Sequence, residues 1–280
     1  MGLAAVLAVL APTVSAHDLL FRPRGFFVAP GAAITIPVFN GTFAASENAI
    51  RRARLTGLVL AGPEGRQPID RGGWTETEPR STVAVRLGRT PGTYVVGAAL
   101  MPSEIQLAGP AFTSYLAEEG ITPILDLRKA KGIATRSARE SYAKAAKTLI
   151  AVTGADGHLA SARGPSAALE ALGFSAEIVP LDDPYALAVG DTLRVRCLVD
   201  GRPIAGWTIL AGGQIGTSTQ PIPGQKSTTD GNGVAAVRLT HDGHWFVKFV
   251  NMRENSGKTG VDYVSRWATL TFGLLPAGAR

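Results

Sequence analysis

Thr192-Leu-Arg-Val-Arg-Cys-Leu-Val199 puts Leu193, Val195 and Cys197 on one side of an extended chain and Thr192, Arg194 and Arg196 on the other. That alternation is the mark of a strand with one buried face. Asp200-Gly201 follows directly. An Asp-Gly pair between strands makes a hairpin turn, because both central residues must accept positive φ.

Working outward, the same pattern recurs. Ala176–Pro180 precedes it, and Trp207–Leu210, Val234–Leu239, Trp245–Val250 and Ala268–Phe272 follow. About six strands in about a hundred residues describe an immunoglobulin-like or transthyretin-like β-sandwich over 174–280. Upstream, Ala33–Phe39, Leu55–Leu60, Val83–Leu87 and Thr93–Gly97 are short apolar runs, the last two separated by Gly88-Arg-Thr-Pro-Gly92. Their spacing predicts an N-terminal β-sandwich over 17–102.

Residues 103–173 read as a short helical insert and loop. Phe112, Tyr115, Leu116 and Glu119 recur at helical spacing, and Gly120 supplies a stop. Ser137 with Glu140 forms a capping box for a second helix, whose apolar face would be Tyr142, Ala145, Ala146 and Leu149. Ala155–Gly173 reads as a loop. The expected fold is therefore mainly β, two β-sandwich domains with a short helical insert between them.

Composition agrees. The chain has 280 residues, 45% of them hydrophobic, with 33 Gly and 18 Pro, enough for real cores and many turns. Cys197 is the only cysteine, which excludes an intramolecular disulfide, a cysteine-built zinc site and a CxxC centre. The net charge of +6 is densest at Arg128, Lys129, Lys131, Arg136, Arg139, Lys144 and Lys147. Without aromatic interleaving or a nucleic-acid motif, that run reads as a solvated helix face, and no nucleic-acid partner is expected.

Residues 1–16 read as a signal peptide. An apolar stretch from Leu3 to Leu10 leads past Pro12 to Val14-Ser15-Ala16. Small residues at −3 and −1 place cleavage between Ala16 and His17, so the mature protein is expected to be periplasmic or secreted. The stretch is shorter than the about 20 residues a membrane span requires, and the protein is not expected to span a membrane.

Cleavage there would make His17 the first residue. Its α-amine, with a pKa of about 7.7–8.0, and its Nδ1 can close a six-membered chelate on one metal ion. Nitrogen donors of this kind suit nickel, cobalt, copper and zinc. Two donors are few, and Asp18, His158, His241 and His244 are candidates to join them. His241-Asp-Gly-His244 is the best of these, since a tight turn at Gly243 can bring both rings onto one metal. Other motifs fail. Gly212-Gly-Gln-Ile-Gly216 lacks the helix and the Lys-Ser/Thr of a phosphate loop. Asp230-Gly-Asn-Gly233 lacks the remaining ligands of a calcium loop and reads as a β-turn. Glu118 and Glu119 are helical neighbours that point apart, and no catalytic triad is visible.

Several stretches in order resemble the bacterial “domain of unknown function 4198” family. They are Glu177–Asp191 with Asp200–Gly206, Phe112–Gly120, Arg139–Tyr142 with Ala146-Lys147, Thr228–Gly233, Trp267–Phe272, and the start Ala16-His17-Asp18. The family is similar to periplasmic components linked to nickel and cobalt uptake. The resemblance implies a metal position at His17 and a membrane transporter as partner. Members commonly carry a His where this chain has Asn251, a poor ligand for transition metals. The expected function is periplasmic binding or delivery of nickel, cobalt or copper, without turnover. An alternative is a β-sandwich module that binds an envelope protein or glycan, which exposed aromatics near Trp74 or Trp207 would favour. A copper oxidase with a histidine brace would need a second His facing His17.

Overall fold

The computed structural model describes residues 17–159, 166–257, 259–276 and 278; the expected signal peptide lies outside them. The N-terminal part forms β1 (Asp18–Phe21), β2 (Phe27–Val28), β3 (Ala33–Gly41), β4 (Ser46–Asn48), β5 (Leu55–Gly62), β6 (Gly65–Pro68), β7 (Trp74–Thr77) and β8 (Arg80–Arg86). Next come β9 (Gly92–Leu100), β10 (Ser103–Leu107), the helices α1 (Gly109–Glu118) and α2 (Thr122–Ala130), and β11 (Ala138–Val152). The C-terminal part adds β12 (Ala176–Pro180), β13 (Thr192–Val199), β14 (Arg202–Pro203), β15 (Thr208–Ile215) and β16 (Pro221–Thr228). It ends with β17 (Val234–Arg238), β18 (Gly243–Glu254) and β19 (Tyr263–Leu274).

The largest sheet runs β16-β15-β18-β19-β11-β9-β5-β6, with β10 and β2 also pairing β11. A second runs β1-β3-β8-β7 with β4 on β3, and a third β12-β13-β14 with β17 on β13. Alternate residues of the large sheet serve different cores. Leu58, Leu60, Tyr94, Val96, Ala146 and Ile150 pack with Leu19, Phe21, Ile36, Val38 and Val83 of the second sheet. Val59, Val95, Leu149, Trp245, Val247, Phe249, Leu270 and Phe272 meet Ile178, Leu193, Val195 and Cys197 of the third. The helices extend the first layer, setting Phe112, Tyr115 and Leu116 against Val250, Met252 and Trp267. The fold is mainly β and built of sandwiches, as expected, and the two sandwiches share one central sheet. Strand β11 makes the join: it is antiparallel to β9 and parallel to β19.

That strand corrects the sequence reading. Residues 138–152 are extended, and no helix starts at Ser137. Ala146 and Leu149, expected on one helical face, point to opposite cores. The basic run is not one solvated face either. Arg128, Lys144 and Lys147 are 2%, 7% and 2% exposed. The guanidinium of Arg128 lies 4.9 Å from the ring centre of Phe112 and donates to the carbonyl of Ile133 at 2.9 Å. Other expectations fit: Asp200 and Gly201 have φ of 48° and 73°, which is the hairpin turn. Cys197 is a buried free thiol. Asp230 Oδ1 accepts the amides of Asn232 and Val234, both at 2.8 Å, which closes a turn around the carboxylate.

Candidate functional site

Strand β1 pairs with β3 along one edge, from Asp18↔Gly41 to Phe21↔Val38. Its other edge has no strand partner among the described residues. The carbonyls of His17, Leu19 and Phe21 are met there by side chains from the central sheet. Lys144 Nζ donates to His17, Thr269 Oγ1 to Leu19 at 2.5 Å, and Thr271 Oγ1 to Phe21 at 3.0 Å. Strand β1 is thus held at every second residue.

Asp18 turns inward, where charges collect in a seam between the β1–β3 sheet and the helices. Lys248 Nζ donates to Asp18 Oδ2 at 2.8 Å and to Glu119 Oε1 at 3.0 Å. Asp18 Oδ1 is buried and accepts no hydrogen bond from the described residues, while Glu119 Oε2 also lies 2.9 Å from Lys248 Nζ, so the ammonium faces both oxygens of that carboxylate. Tyr115 Oη donates to Glu140 Oε1 at 3.1 Å, as does Ser265 Oγ, and Trp267 Nε1 donates to Ser265 Oγ at 2.9 Å. Lys144 Nζ also reaches Asn40 Oδ1 at 3.2 Å and lies 5.3 Å from the ring centre of Trp267.

Burial disfavours charge here. It pushes Glu119 up to about 7, with Lys248 opposing and Asp18 reinforcing the shift. It pushes Lys144 down to about 8 against the pull of Asp18, and it raises Glu140. Lys248 goes the other way. Burial lowers it, but Asp18 and Glu119 outweigh burial and hold its ammonium above the usual lysine range.

His17 takes the opposite side of β1 from Asp18, the side of Leu19 and Phe21, and its ring is partly exposed. Its Nε2 lies 2.8 Å from Glu47 Oε2, with the two side chains 25% and 46% exposed. Its Nδ1 has no hydrogen-bond partner among the described residues. Glu47 sits on β4, where the ladder with β3 shifts register between Asn40 and Gly41. A Cβ at Gly41 would lie 2.4 Å from the carbonyl of Ala45, so only glycine lets β4 approach this closely.

The other predicted ligands lie apart. His244 Nδ1 is 2.5 Å from Arg22 Nη1, and its ring meets Phe26 edge-on at 4.9 Å. Arginine only donates, so Nδ1 accepts; burial and then Arg22 push His244 down to about 4 and keep it neutral. Arg22 stands at the far end of β1 from His17, roughly 16 Å of extended chain away. His241 Nδ1 is 2.9 Å from Thr240 Oγ1, and His158 is exposed in its turn. Asn251 lies on the face of β18 that carries Phe249, away from Lys248 and the seam. No three His, Cys, Asp or Glu side chains converge among the described residues. The donor set does not fit a closed side-chain site for a metal.

Glu118 is exposed while Glu119 is buried, so the pair does point apart. Trp74 is buried, with Nε1 donating to Ile50 at 2.9 Å, and Trp207 is half-buried. Neither forms an exposed aromatic platform. Sequence reading overlooked Glu47, Lys144 and Lys248. One signal was present: Lys248 interrupts the apolar run Trp245–Val250, on the strand face opposite to Trp245, Val247 and Phe249.

A central sheet shared by two sandwiches, with a charged seam beneath a pinned first strand, defines a mainly-β protein of three layers. The chain belongs to the family described as “Domain of unknown function (DUF4198)”, which matches residues 14–253. No curated protein matches it. Among solved structures it is similar to Escherichia coli alpha-2-macroglobulin activated by porcine elastase, at 10% identity and a TM-score of 0.23. That match covers 92% of this chain and 20% of the other. Salmonella alpha-2-macroglobulin reacted with methylamine matches at 10% identity and 0.23, covering 93% of this chain and 15% of that one. The chain thus spans a fifth or less of either macroglobulin. No helix among the described residues is long and apolar enough to cross a membrane.

Proposed function

We propose that this is an exported protein that binds a divalent transition metal, nickel, cobalt or copper, at its mature N-terminal His17. It holds or delivers the ion in the periplasm without turnover, with a membrane transporter as the receiving partner. The observation that carries the reading is the pinned backbone of residue 17. Lys144 holds its carbonyl, while its ring is partly exposed, with Nδ1 unengaged by the described residues. After cleavage behind Ala16, the α-amine and Nδ1 of this one residue would be the two nitrogens that hold the metal. Both must be deprotonated to bind, so binding strengthens as pH rises toward the amine pKa of about 8 and levels off above it. His241 and His244 take no part, since one is satisfied locally and the other faces a guanidinium.

Mass spectrometry of the exported protein should find His17 as its first residue. Titration calorimetry with nickel, cobalt, copper and zinc salts should then show binding by the wild-type protein. His17→Ala and an N-acetylated form should each bind at least about tenfold more weakly, ~1.4 kcal/mol. Unchanged affinity in both variants removes the proposal.

A further inference from the structure

We infer that Glu47 is the positioning residue that decides which ring nitrogen of His17 a metal meets, an inference that rests on reading His17 as a ligand. The Glu47 carboxylate is 2.8 Å from Nε2. An ionised carboxylate only accepts, so Nε2 carries a proton, and in the neutral ring that a metal binds Nδ1 keeps its lone pair. Nδ1 is also the nitrogen that can close a six-membered ring with the α-amine of the same residue, which Nε2 is too distant to do. A carboxylate on the remote N–H of a ligating imidazole fixes its tautomer and orientation and raises its basicity.

Glu47 reaches this place through a built arrangement. Asn40 holds β4 on both sides of it: its amide nitrogen donates to Ser46 Oγ at 3.0 Å, and its Nδ2 donates to Asn48 Oδ1 at 2.7 Å. Asn40 Oδ1 accepts from Lys144 at 3.2 Å, the same ammonium that holds the carbonyl of His17. One asparagine therefore ties the strand that carries Glu47 to the cation that fixes the backbone of His17. The competing account is an ordinary surface ion pair, and exposed pairs contribute little to stability. That account would leave metal affinity untouched.

The test compares the mature wild-type protein with Glu47→Gln and Glu47→Ala, using nickel and copper salts in calorimetry. Nitrogen-15 NMR of the metal-free histidine rings is recorded alongside. Glu47→Ala should weaken binding about 10- to 100-fold. Glu47→Gln should recover most of it, because its amide oxygen still accepts from Nε2. Without metal, the His17 ring should be the Nε2–H form in the wild type and in Glu47→Gln, and a mixture in Glu47→Ala. Wild-type binding that Glu47→Ala leaves intact, or an Nδ1–H ring in the wild type, overturns the role of Glu47 and leaves His17 as a ligand. Failure of the wild-type protein to bind either metal overturns the functional reading, and this inference with it.

Discussion

Glu177 is a buried carboxylate with four donors. Its oxygens accept the amides of Leu172, Gly173 and Phe174 at 2.7, 2.5 and 2.8 Å, and Lys147 Nζ at 3.1 Å. Glu177 and Lys147 are 3% and 2% exposed, and burial lowers the lysine pKa against the pull of Glu177. The pair is asymmetric. Take away Lys147 and the carboxylate keeps three N–H donors; take away Glu177 and a buried ammonium and three amides lose their acceptor together. Removing one partner of a buried pair costs about 3–5 kcal/mol when the other is left uncompensated. Glu177→Ala should therefore lose about that much in urea unfolding, and Lys147→Met, which refills the space with apolar atoms, distinctly less. Equal losses would mean that the amides do not hold the carboxylate in place.

At the level of elements, α1 ends in a Schellman motif. Ile121 N–H donates to Leu116 at 2.8 Å and Gly120 N–H to Ala117 at 3.2 Å, with Gly120 at φ 67° and both Ile121 and Leu116 buried. A Cβ at Gly120 would lie 2.7 Å from Thr208 Cγ2. Gly120→Ala should cost about 1–2 kcal/mol from the left-handed backbone alone, and more if Thr208 cannot move. A thermal melt like that of the wild type would show that the helix can end without that turn. This helix was legible in the sequence because one face meets the core and the other meets water, so its period shows. Strand β11 was not, since both of its faces are covered and a strand buried on both sides loses its alternation. The alanines at 143, 145, 146 and 151 add no preference for a strand. The site was legible to the same extent. The position of His17 follows from local pattern, whereas Lys248 lies 230 residues from Asp18 and 129 from Glu119. Pairings over such distances leave no local trace. Glu47 needed a register shift in β4 that nothing in Ser46-Glu-Asn48 announces.

Across the whole molecule, the seam is where the β1–β3 sheet, the helices and the central sheet meet, so its ionisation acts on the contacts among these three. Folded Glu119 keeps its proton up to about pH 7, against an ordinary 4.5. Between those values the folded state holds the additional proton, so rising pH removes stability, and the loss is complete above about 7. A shift of that size is worth ~3 kcal/mol. Lys144 works in the opposite sense at higher pH. Folded it releases its proton near 8, against an ordinary 10.5, so stability returns as pH rises through that window. The seam should then be weakest between about pH 7 and 8, where both groups are charged and buried. Glu119→Gln cannot ionise, and it isolates the first of these effects. In urea unfolding of the metal-free protein, the stability of wild type relative to Glu119→Gln should fall by roughly 3 kcal/mol from pH 4.5 to 7 and then stay level to pH 8. A difference that does not change with pH would mean that Glu119 titrates as it does in water, and that the contact with Lys248 cancels the cost of burying it.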